Sequence, residues 1–479
     1  WDYYWALDDI KLVAPVGLDV SVDTITMSKY VSLGSQTVTV TVTNRGGTTI
    51  NSFDLNYTDN GGAPVTQHFS GLTIAPLASY DFTFTQPIVM NTALQHTIVV
   101  TSSSPNSGTD LVSYNDSWTD DILTLSSTPV KNVLLEEFTT AQCQYCPDGT
   151  TRLRHILENN TNMIGAALHA GFGTDAMTTA DHSTLATSYT DFAPAVMVDR
   201  VYYESEDGAN IAYYNDPYDR WEPYAQARKT VTTPVSIIAS NTYDSTNRQL
   251  TVNAAGKFYS AITDNFRLNC YIIEDSVTGT GSGYNQVNGS SNDATSEWYQ
   301  KGSPIVGFEH RHVVRQMLGG PWGSTGVIDA TTTDGGIYSK QYTYTLPSTW
   351  RDSKITVVVL VQHYATNKYD REILNAMEMP LNTADSTGIV SAVNEISGNP
   401  LNSIKLYPNP ASDVVNINFS LGANSNLGLD VYDVVGKLIT SQPNASLRAG
   451  DYSTKLTPAD LHHSAERHDG TEYRSRWLP

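Results

Sequence analysis

Polar and apolar residues alternate with a period of two along most of this 479-residue sequence. Over residues 18–125, runs such as Thr37-Val38-Thr39-Val40-Thr41-Val42 are separated by turn clusters such as Asn44-Arg45-Gly46-Gly47. Successive side chains of a strand point to opposite faces of a sheet, so this alternation is typical of half-buried strands. Short strands at such spacing predict an immunoglobulin-like β-sandwich over residues 15–127.

Composition excludes several classes of protein. The chain carries 28 Lys and Arg residues against 49 Asp and Glu residues, a formal net charge of −21. An acidic surface without a basic stripe repels phosphates, so no nucleic-acid partner is expected. No apolar run approaches the roughly 18 residues of a membrane-spanning helix, so no transmembrane segment is expected either. Three cysteines are too few to stabilise the chain mainly through disulfide bonds. Stability is therefore expected to come from several apolar cores.

One part of the chain alternates strands with helices. Residues 133–138, 163–168 and 195–201 predict strands, and residues 147–159 and 181–192 predict the helices between them. This order predicts an α/β domain over residues 129–232, which follows the linker Ser126-Ser127-Thr128-Pro129. The predicted fold class is therefore multidomain and mainly β, with sandwiches on either side of one α/β domain.

Further segments complete the predicted organisation. Residues 233–383 return to β alternation and predict a second β-sandwich, with a Gly/Ser/Asn-rich loop at 278–293. Residues 399–461 predict a last small β unit, and residues 462–479 an atypical tail. Residues 1–14 are interpreted as the terminal strand of a truncated module.

Cys143-Gln144-Tyr145-Cys146 lies between a predicted buried strand and a helix that begins at Pro147, a residue that the first turn of a helix tolerates. Cys143 is then expected at the positive end of the helix dipole, which favours the thiolate needed to attack a disulfide. The second cysteine could resolve the mixed disulfide. The pair is therefore a candidate for thiol-disulfide exchange.

Other interpretations of the cysteines and histidines stay open. Cys143 and Cys146 could form an inert disulfide, whereas a metal site is disfavoured because no second CxxC supplies further ligands. Cys270 is interpreted as a buried free thiol. On a strand, His310 and His312 would share one face, either as ligands or as packed side chains, and packing is the preferred interpretation.

The α/β segment resembles thioredoxin-like proteins, in which an acidic residue followed by Phe precedes the first cysteine and a cis-proline loop lies beside the dithiol. Glu137-Phe138 and Ala193-Pro194 stand in the matching places. The resemblance implies that Cys143 attacks, Cys146 resolves and Glu137 assists proton transfer. It also implies that the backbone around Ala193 and Pro194 binds the substrate chain.

Two longer resemblances suggest where the protein works. LLEEFTTAQCQYCPDG and GFEHRHVVRQMLGGPWG resemble the Omp-twenty-eight family of outer-membrane-associated proteins over residues 130–381, although Thr140 replaces the usual glycine after EEFT. Leu406-Tyr407-Pro408-Asn409-Pro410-Ala411, with the later LDVYDVVGKLI and AGDYSTKL, resembles the type A sorting domain of the type IX secretion system. The departure from that domain is its ending, where HHSAERHDGTEYRSRWLP replaces a short basic terminus.

Shorter segments resemble adhesive surface proteins. WALDDIKL in residues 1–14 resembles the last strand of a jelly-roll module, and TVTNRGGTTI resembles adhesion-type sandwich domains of bacterial surface proteins. All these resemblances imply a location that is extracellular or on the outer surface of a Gram-negative bacterium. They imply as partners the type IX translocon and the surface attachment machinery.

Two functions follow. The first is a secreted surface protein with a non-catalytic binding, adhesion or scaffold role towards an unknown protein or glycan ligand. The second is an extracytoplasmic thiol-disulfide oxidoreductase that acts on other secreted proteins through Cys143 and Cys146. Neither function is expected to need a cofactor or a metal.

Overall fold

The computed structural model describes residues 16–212, 220–383, 401–407, 414–432 and 438–457. Contacts divide the chain into two compact units, residues 1–391 and 392–479. The described residues are mainly β and form several sheets, which confirms the mainly β character of the predicted class. The predictions for residues 1–14, for Pro408-Asn409-Pro410-Ala411 and for the tail 462–479 lie outside the described residues. Within the described ranges, no helix is long and apolar enough to cross a membrane.

Residues 16–127 form two main sheets around one apolar core. Their strands are β1 (Val20–Ile25), β2 (Tyr30–Ser32), β3 (Gly34–Gln36), β4 (Thr39–Asn44), β5 (Ile50–Asp59), β6 (Val65–Ile74), β7 (Ser79–Thr83), β8 (Ile88–Met90), β9 (Gln95–Ser103) and β10 (Ser117–Leu125). One sheet has the order β1–β4–β7, the other β2–β10–β9–β5–β6, and β3 pairs with β8. Every second side chain of β9, including Ile98 and Val100, is buried, as the alternation predicts.

The described part of the next segment, residues 129–383, contains three helices, an eight-stranded mixed sheet and a three-stranded sheet. Its elements are β11 (Val133–Thr139), α1 (Cys146–Asn159), β12 (Met163–His169), α2 (Ala180–Tyr189), β13 (Ala195–Val198), β14 (Asn210–Ala212), α3 (Trp221–Lys229), β15 (Val235–Asp244), β16 (Gln249–Phe258), β17 (Phe266–Glu274), β18 (Val313–Met317), β19 (Ile337–Thr345), β20 (Ile355–His363) and β21 (Ile373–Pro380). The strand order is β14–β13–β11–β12–β18–β17–β20–β21. All seven residues of β11 are buried, which is typical of a strand covered on both faces.

This sheet takes strands from both sides of the domain boundary predicted at residues 232/233. β11 and β12 run parallel, and β12 then pairs in parallel with β18, which lies about 145 residues further along the chain. The pairing covers an edge of β12 that would otherwise leave backbone groups unpaired. Residues 129–232 and 233–383 therefore share one sheet.

A third sheet, β15–β16–β19, packs against the eight-stranded sheet, and the two share one apolar core. Tyr30, Leu123 and Leu125 of the first sandwich belong to the same core. At the predicted linker, the amide of Ser126 donates to the carbonyl of Tyr259 at 2.9 Å. The first sandwich is thus packed onto the following segment rather than tethered to it.

The second unit is a small β structure. Its strands are β22 (Leu401–Tyr407), β23 (Val415–Leu421), β24 (Ser425–Tyr432), β25 (Leu438–Leu447) and β26 (Gly450–Leu456). They form the sheets β22–β23–β26 and β24–β25. Ile417, Phe419, Leu421 and Leu456 are its buried core.

Candidate functional site

Cys143 lies in the loop between β11 and α1 and is joined to Cys146 as a disulfide, with the two Cα atoms 5.4 Å apart. Cys146 is the first residue of α1 and Pro147 occupies its first turn, as the sequence predicts. The two cysteines are only 3% and 1% exposed. The loop therefore presents almost no sulfur surface to solvent.

Glu137 lies on β11 behind this helix and is completely buried. Its Oε1 atom has no hydrogen-bond partner among the described residues, and burial raises the pKa of its carboxyl group to about 8. A Cβ atom at Gly149 would lie 2.9 Å from that oxygen and 2.6 Å from Cβ of Pro194. Only a glycine fits here, so Glu137, Pro194 and the first turn of α1 meet at one point.

Ala193 and Pro194 precede β13, which pairs antiparallel with β11. The peptide bond between them is cis. Glu137 and Pro194 therefore lie against the first turn of α1, which carries Cys146. Cys143 is joined to Cys146 by the disulfide, and Ala193 directly precedes Pro194.

A segment between β17 and β18 covers the cysteine loop. We call residues 283–305 the strap. Gln286, which is 1% exposed, donates through Nε2 to the carbonyls of Thr140 at 3.1 Å and Cys143 at 2.8 Å. The amide of Val287 donates to the carbonyl of Ala141 at 2.8 Å. The strap therefore satisfies the backbone of the loop that carries the disulfide.

The strap also binds the exposed side of α1. Ser290 and Ser296 each donate a hydroxyl to the Asp148 carboxylate, the second at 2.6 Å. Trp298 Nε1 donates to Thr151 Oγ1 at 3.0 Å. These bonds fix the strap across the first two turns of the helix. The sequence predicts only a polar loop at 278–293, because its composition does not say which groups it binds.

A buried His–Asp pair supports the cysteine loop from the other side. Asp175 Oδ2 accepts hydrogen bonds from His169 Nδ1 at 2.7 Å and from the amide of Ala141 at 2.8 Å. Burial alone would raise the pKa of Asp175, but these bonds, the His169 charge and the amide of Met177 lower it to about 2. No sequence pattern predicts this pair, since it depends on a turn between β12 and α2.

His310 and His312 precede β18 and share no strand face. His310 is buried, and its Nε2 atom donates to the carbonyl of Tyr284 on the strap at 2.9 Å. The amide of His312 donates to Asp275 Oδ1 at 3.2 Å. Among the residues with described positions, no group of three or more His, Cys, Asp or Glu side chains could hold a metal ion. Cys270 on β17 is a buried free thiol, as predicted, and burial raises its pKa.

Two parts of the chain match known families. Residues 187–382 match the family described as outer membrane protein Omp28, and residues 405–462 match the secretion system C-terminal sorting domain. The Omp28 match begins after the cysteine pair. No curated protein matches the chain.

Solved structures with weak similarity align with different shares of the chain. HBP35 of Porphyromonas gingivalis is 19% identical, with a TM-score of 0.42, and the alignment covers 69% of this chain and 96% of HBP35. The CARDB domain of PF1109 from Pyrococcus furiosus, solved in complex with di-metal ions, is 19% identical; the alignment covers 25% of this chain and 100% of that domain, with a TM-score of 0.20. The exo-chitosanase CsxA of Amycolatopsis orientalis is 9% identical, with coverage of 92% and 76% and a TM-score of 0.19.

Proposed function

We propose that the protein acts at the cell surface or in the extracellular space as a non-catalytic binding, adhesion or scaffold protein. Residues 187–382 match the outer membrane protein Omp28 family and residues 405–462 match the secretion system C-terminal sorting domain, and these two matches indicate export to that location. The ligand that the chain binds is a protein or a glycan. Its other partners are the type IX translocon and the surface attachment machinery of a Gram-negative cell.

The burial of the disulfide carries this proposal. Exchange begins when a thiolate reaches a sulfur atom in line with the S–S bond, so a working exchange site keeps at least one sulfur open. Here Cys143 and Cys146 are 3% and 1% exposed, and the strap lies over their loop. A covered disulfide supports a stabilising role in a displayed protein.

The fold supports domain assignments that belong to the same proposal. We assign residues 129–232 to a thioredoxin-like α/β domain, because β11 and β12 are parallel, α1 crosses between them and β13 returns antiparallel. We assign residues 15–127 to an immunoglobulin-like sandwich on the strength of its two sheets around one core. We assign residues 233–383, four strands of which extend the eight-stranded sheet of residues 129–232, and residues 399–461 to the second and third β units.

Insulin reduction tests the proposal. In the presence of dithiothreitol, the whole chain and its Cys143→Ser variant are expected to precipitate insulin at the rate of dithiothreitol alone, because substrate disulfides cannot reach the sulfur atoms. Surface display of the variant is expected to equal that of the parent chain. A rate for the parent clearly above that of Cys143→Ser would contradict the proposal.

One observation favours the second candidate, an extracytoplasmic oxidoreductase. Glu137, with its pKa raised to about 8, lies against Pro194 and α1, where a buried acid could exchange a proton with a cysteine. If this candidate is right, insulin reduction rises above the Cys143→Ser control, and Glu137→Gln lowers that rate and shifts its pH profile.

A further inference from the structure

We infer that the strap and the Cys143–Cys146 disulfide form a redox-linked latch. While the pair is oxidised, its loop holds the strap; while the strap is held, it keeps thiols away from the pair. The inference goes beyond the proposed function and does not depend on the presence or absence of exchange activity.

Backbone carbonyls of the cysteine loop accept hydrogen bonds from the strap. The carbonyls of Thr140 and Cys143 accept from Gln286 Nε2. The carbonyl of Ala141 accepts from the Val287 amide at 2.8 Å, and that of Gln144 accepts from the Gly289 amide at 2.7 Å. Four carbonyls in five consecutive residues are therefore bound by the strap. These four hydrogen bonds can form together only when the backbone of the loop has this one conformation.

The disulfide fixes this backbone conformation of the loop. The bond closes a ring of four residues, 143–146, and so fixes the directions in which the carbonyls of Cys143 and Gln144 point. Opening the bond gives these residues back their backbone freedom. Reduction is therefore expected to loosen the bonds that Gln286 and Gly289 make.

Different residues of the strap have different partners. The Gln286 side chain and the amides of Val287 and Gly289 bind the cysteine loop, whereas the amides of Gln286 and Asn288 bind Ile305 and Ser303 within the strap. Ser290, Ser296 and Trp298 bind Asp148 and Thr151 of α1. The helix side chains are outside the disulfide ring. Reduction is thus expected to release the groups that bind the cysteine loop and to leave those that bind α1 in place.

The coupling between closure of the strap and oxidation of the disulfide is reciprocal. If reduction weakens the closed strap, a weaker strap must favour reduction by the same factor, because the two equilibria are linked. The reductant is a small dithiol: its thiolate attacks one cysteine sulfur and breaks the S–S bond, leaving a mixed disulfide. Its second thiol then displaces that sulfur, so that Cys143 and Cys146 end as thiols and the reagent as a cyclic disulfide.

Hydrogen exchange on the whole chain tests the first direction. After reduction with dithiothreitol, the amides of Val287 and Gly289, which lie within residues 285–289, are expected to exchange at least about tenfold faster, while peptides covering 293–298 keep their rate. A Cys143→Ser/Cys146→Ser double variant should exchange at the faster rate with or without the reductant. Equal exchange of residues 285–289 in the oxidised and reduced chains would overturn the inference.

Reduction kinetics test the second direction. Gln286→Ala removes the buried donor to Thr140 and Cys143, so dithiothreitol is expected to reduce the bond at least about tenfold faster than in the parent. Gln300→Ala, an exposed glutamine on the same strap, is the matched control and should react at the parental rate. Gln286→Met keeps a side chain of similar length but removes the same Nε2 donor, so it provides a second variant if Gln286→Ala fails to fold. Parental rates in both Gln286→Ala and Gln286→Met would refute the latch.

Discussion

At the scale of single residues, two titratable groups have pKa values set by their surroundings. Glu137 is buried with an unpartnered Oε1 atom, and burial raises its pKa to about 8. His363, on β20, is held between Asp264 at 2.8 Å and Asp370 at 3.0 Å. The hydrogen bond that His363 donates to Asp264 is the main reason that the pKa of His363 is raised. Both shifts link the stability of the fold to pH.

Glu137→Gln is expected to gain stability relative to the parent as pH rises. The folded pKa of about 8 exceeds the unfolded value of about 4.3, so the stability linked to protonated Glu137 is full below about pH 4 and is lost as pH rises through 8. Glutamine stays neutral throughout. Urea unfolding should therefore show a relative gain on the order of 4 kcal/mol between about pH 5 and pH 9. A difference that does not change with pH would contradict the shift.

His363→Gln is expected to behave in the opposite sense. Because the folded pKa of His363 is raised, its ion pairs with Asp264 and Asp370 stabilise the fold below the unfolded pKa of about 6.5 and are lost as pH rises through the folded value. The loss of unfolding free energy caused by the substitution should be larger near pH 5 than near pH 9. A larger loss at the high pH would show that the His363 charge does not stabilise the fold.

At the scale of elements, the start of α1 was predictable and its surroundings were not. Pro147 after the cysteine pair marks the first turn, because local backbone chemistry decides where a helix starts. The strand β18 beside β12, and the strap over the cysteine loop, depend on contacts between residues more than 100 positions apart. Strand alternation predicts which face is buried but not which strand is the neighbour. Gln286 looked like an ordinary loop residue for the same reason.

Gly149→Ala tests how closely α1 packs on the sheet. A Cβ atom at this position would lie 2.6 Å from Pro194 Cβ and 2.9 Å from Glu137 Oε1, so the helix or the proline loop must shift. A loss of about 1–3 kcal/mol in unfolding free energy is expected. Gly17→Ala, where nothing lies within 4 Å of the new Cβ, is the control and should be nearly neutral. Equal stabilities of the two variants would contradict the close packing.

At the scale of the whole molecule, one shared apolar core joins the first sandwich to the segment after it, in a chain with a net charge of −21. The composition and the alternation predicted several β cores, but not that one of them would join the first sandwich to the segment after it. In this shared core, Tyr30, Leu123 and Leu125 pack in the same cluster as Phe258. The linker between the two parts of the chain is polar, so it gives no indication of this contact. A sequence shows that such residues are apolar without showing what covers them.

Leu125→Ala is expected to destabilise both sides of this join. Leu125 is 1% exposed, and truncating a buried leucine costs about 2–5 kcal/mol through lost contacts and a cavity. Hydrogen-exchange protection should fall in β10 and also in β15 and β16. Leu111→Ala, at a side chain that is 60% exposed, is the control and should leave protection unchanged. Loss confined to β10 would mean that the sandwich is an independent unit.

The proposed function depends on the burial of the Cys143–Cys146 disulfide in the folded chain. Its most direct test is the rate at which dithiothreitol reduces Cys143–Cys146 in the native chain, compared with the same chain unfolded in guanidinium and followed by mass spectrometry of alkylated thiols. Because each sulfur is almost fully buried, native reduction is expected to be at least about a hundredfold slower, since it must wait for local opening. Equal rates in the two states would show that the sulfurs are open in solution, and the covered-disulfide account would be wrong.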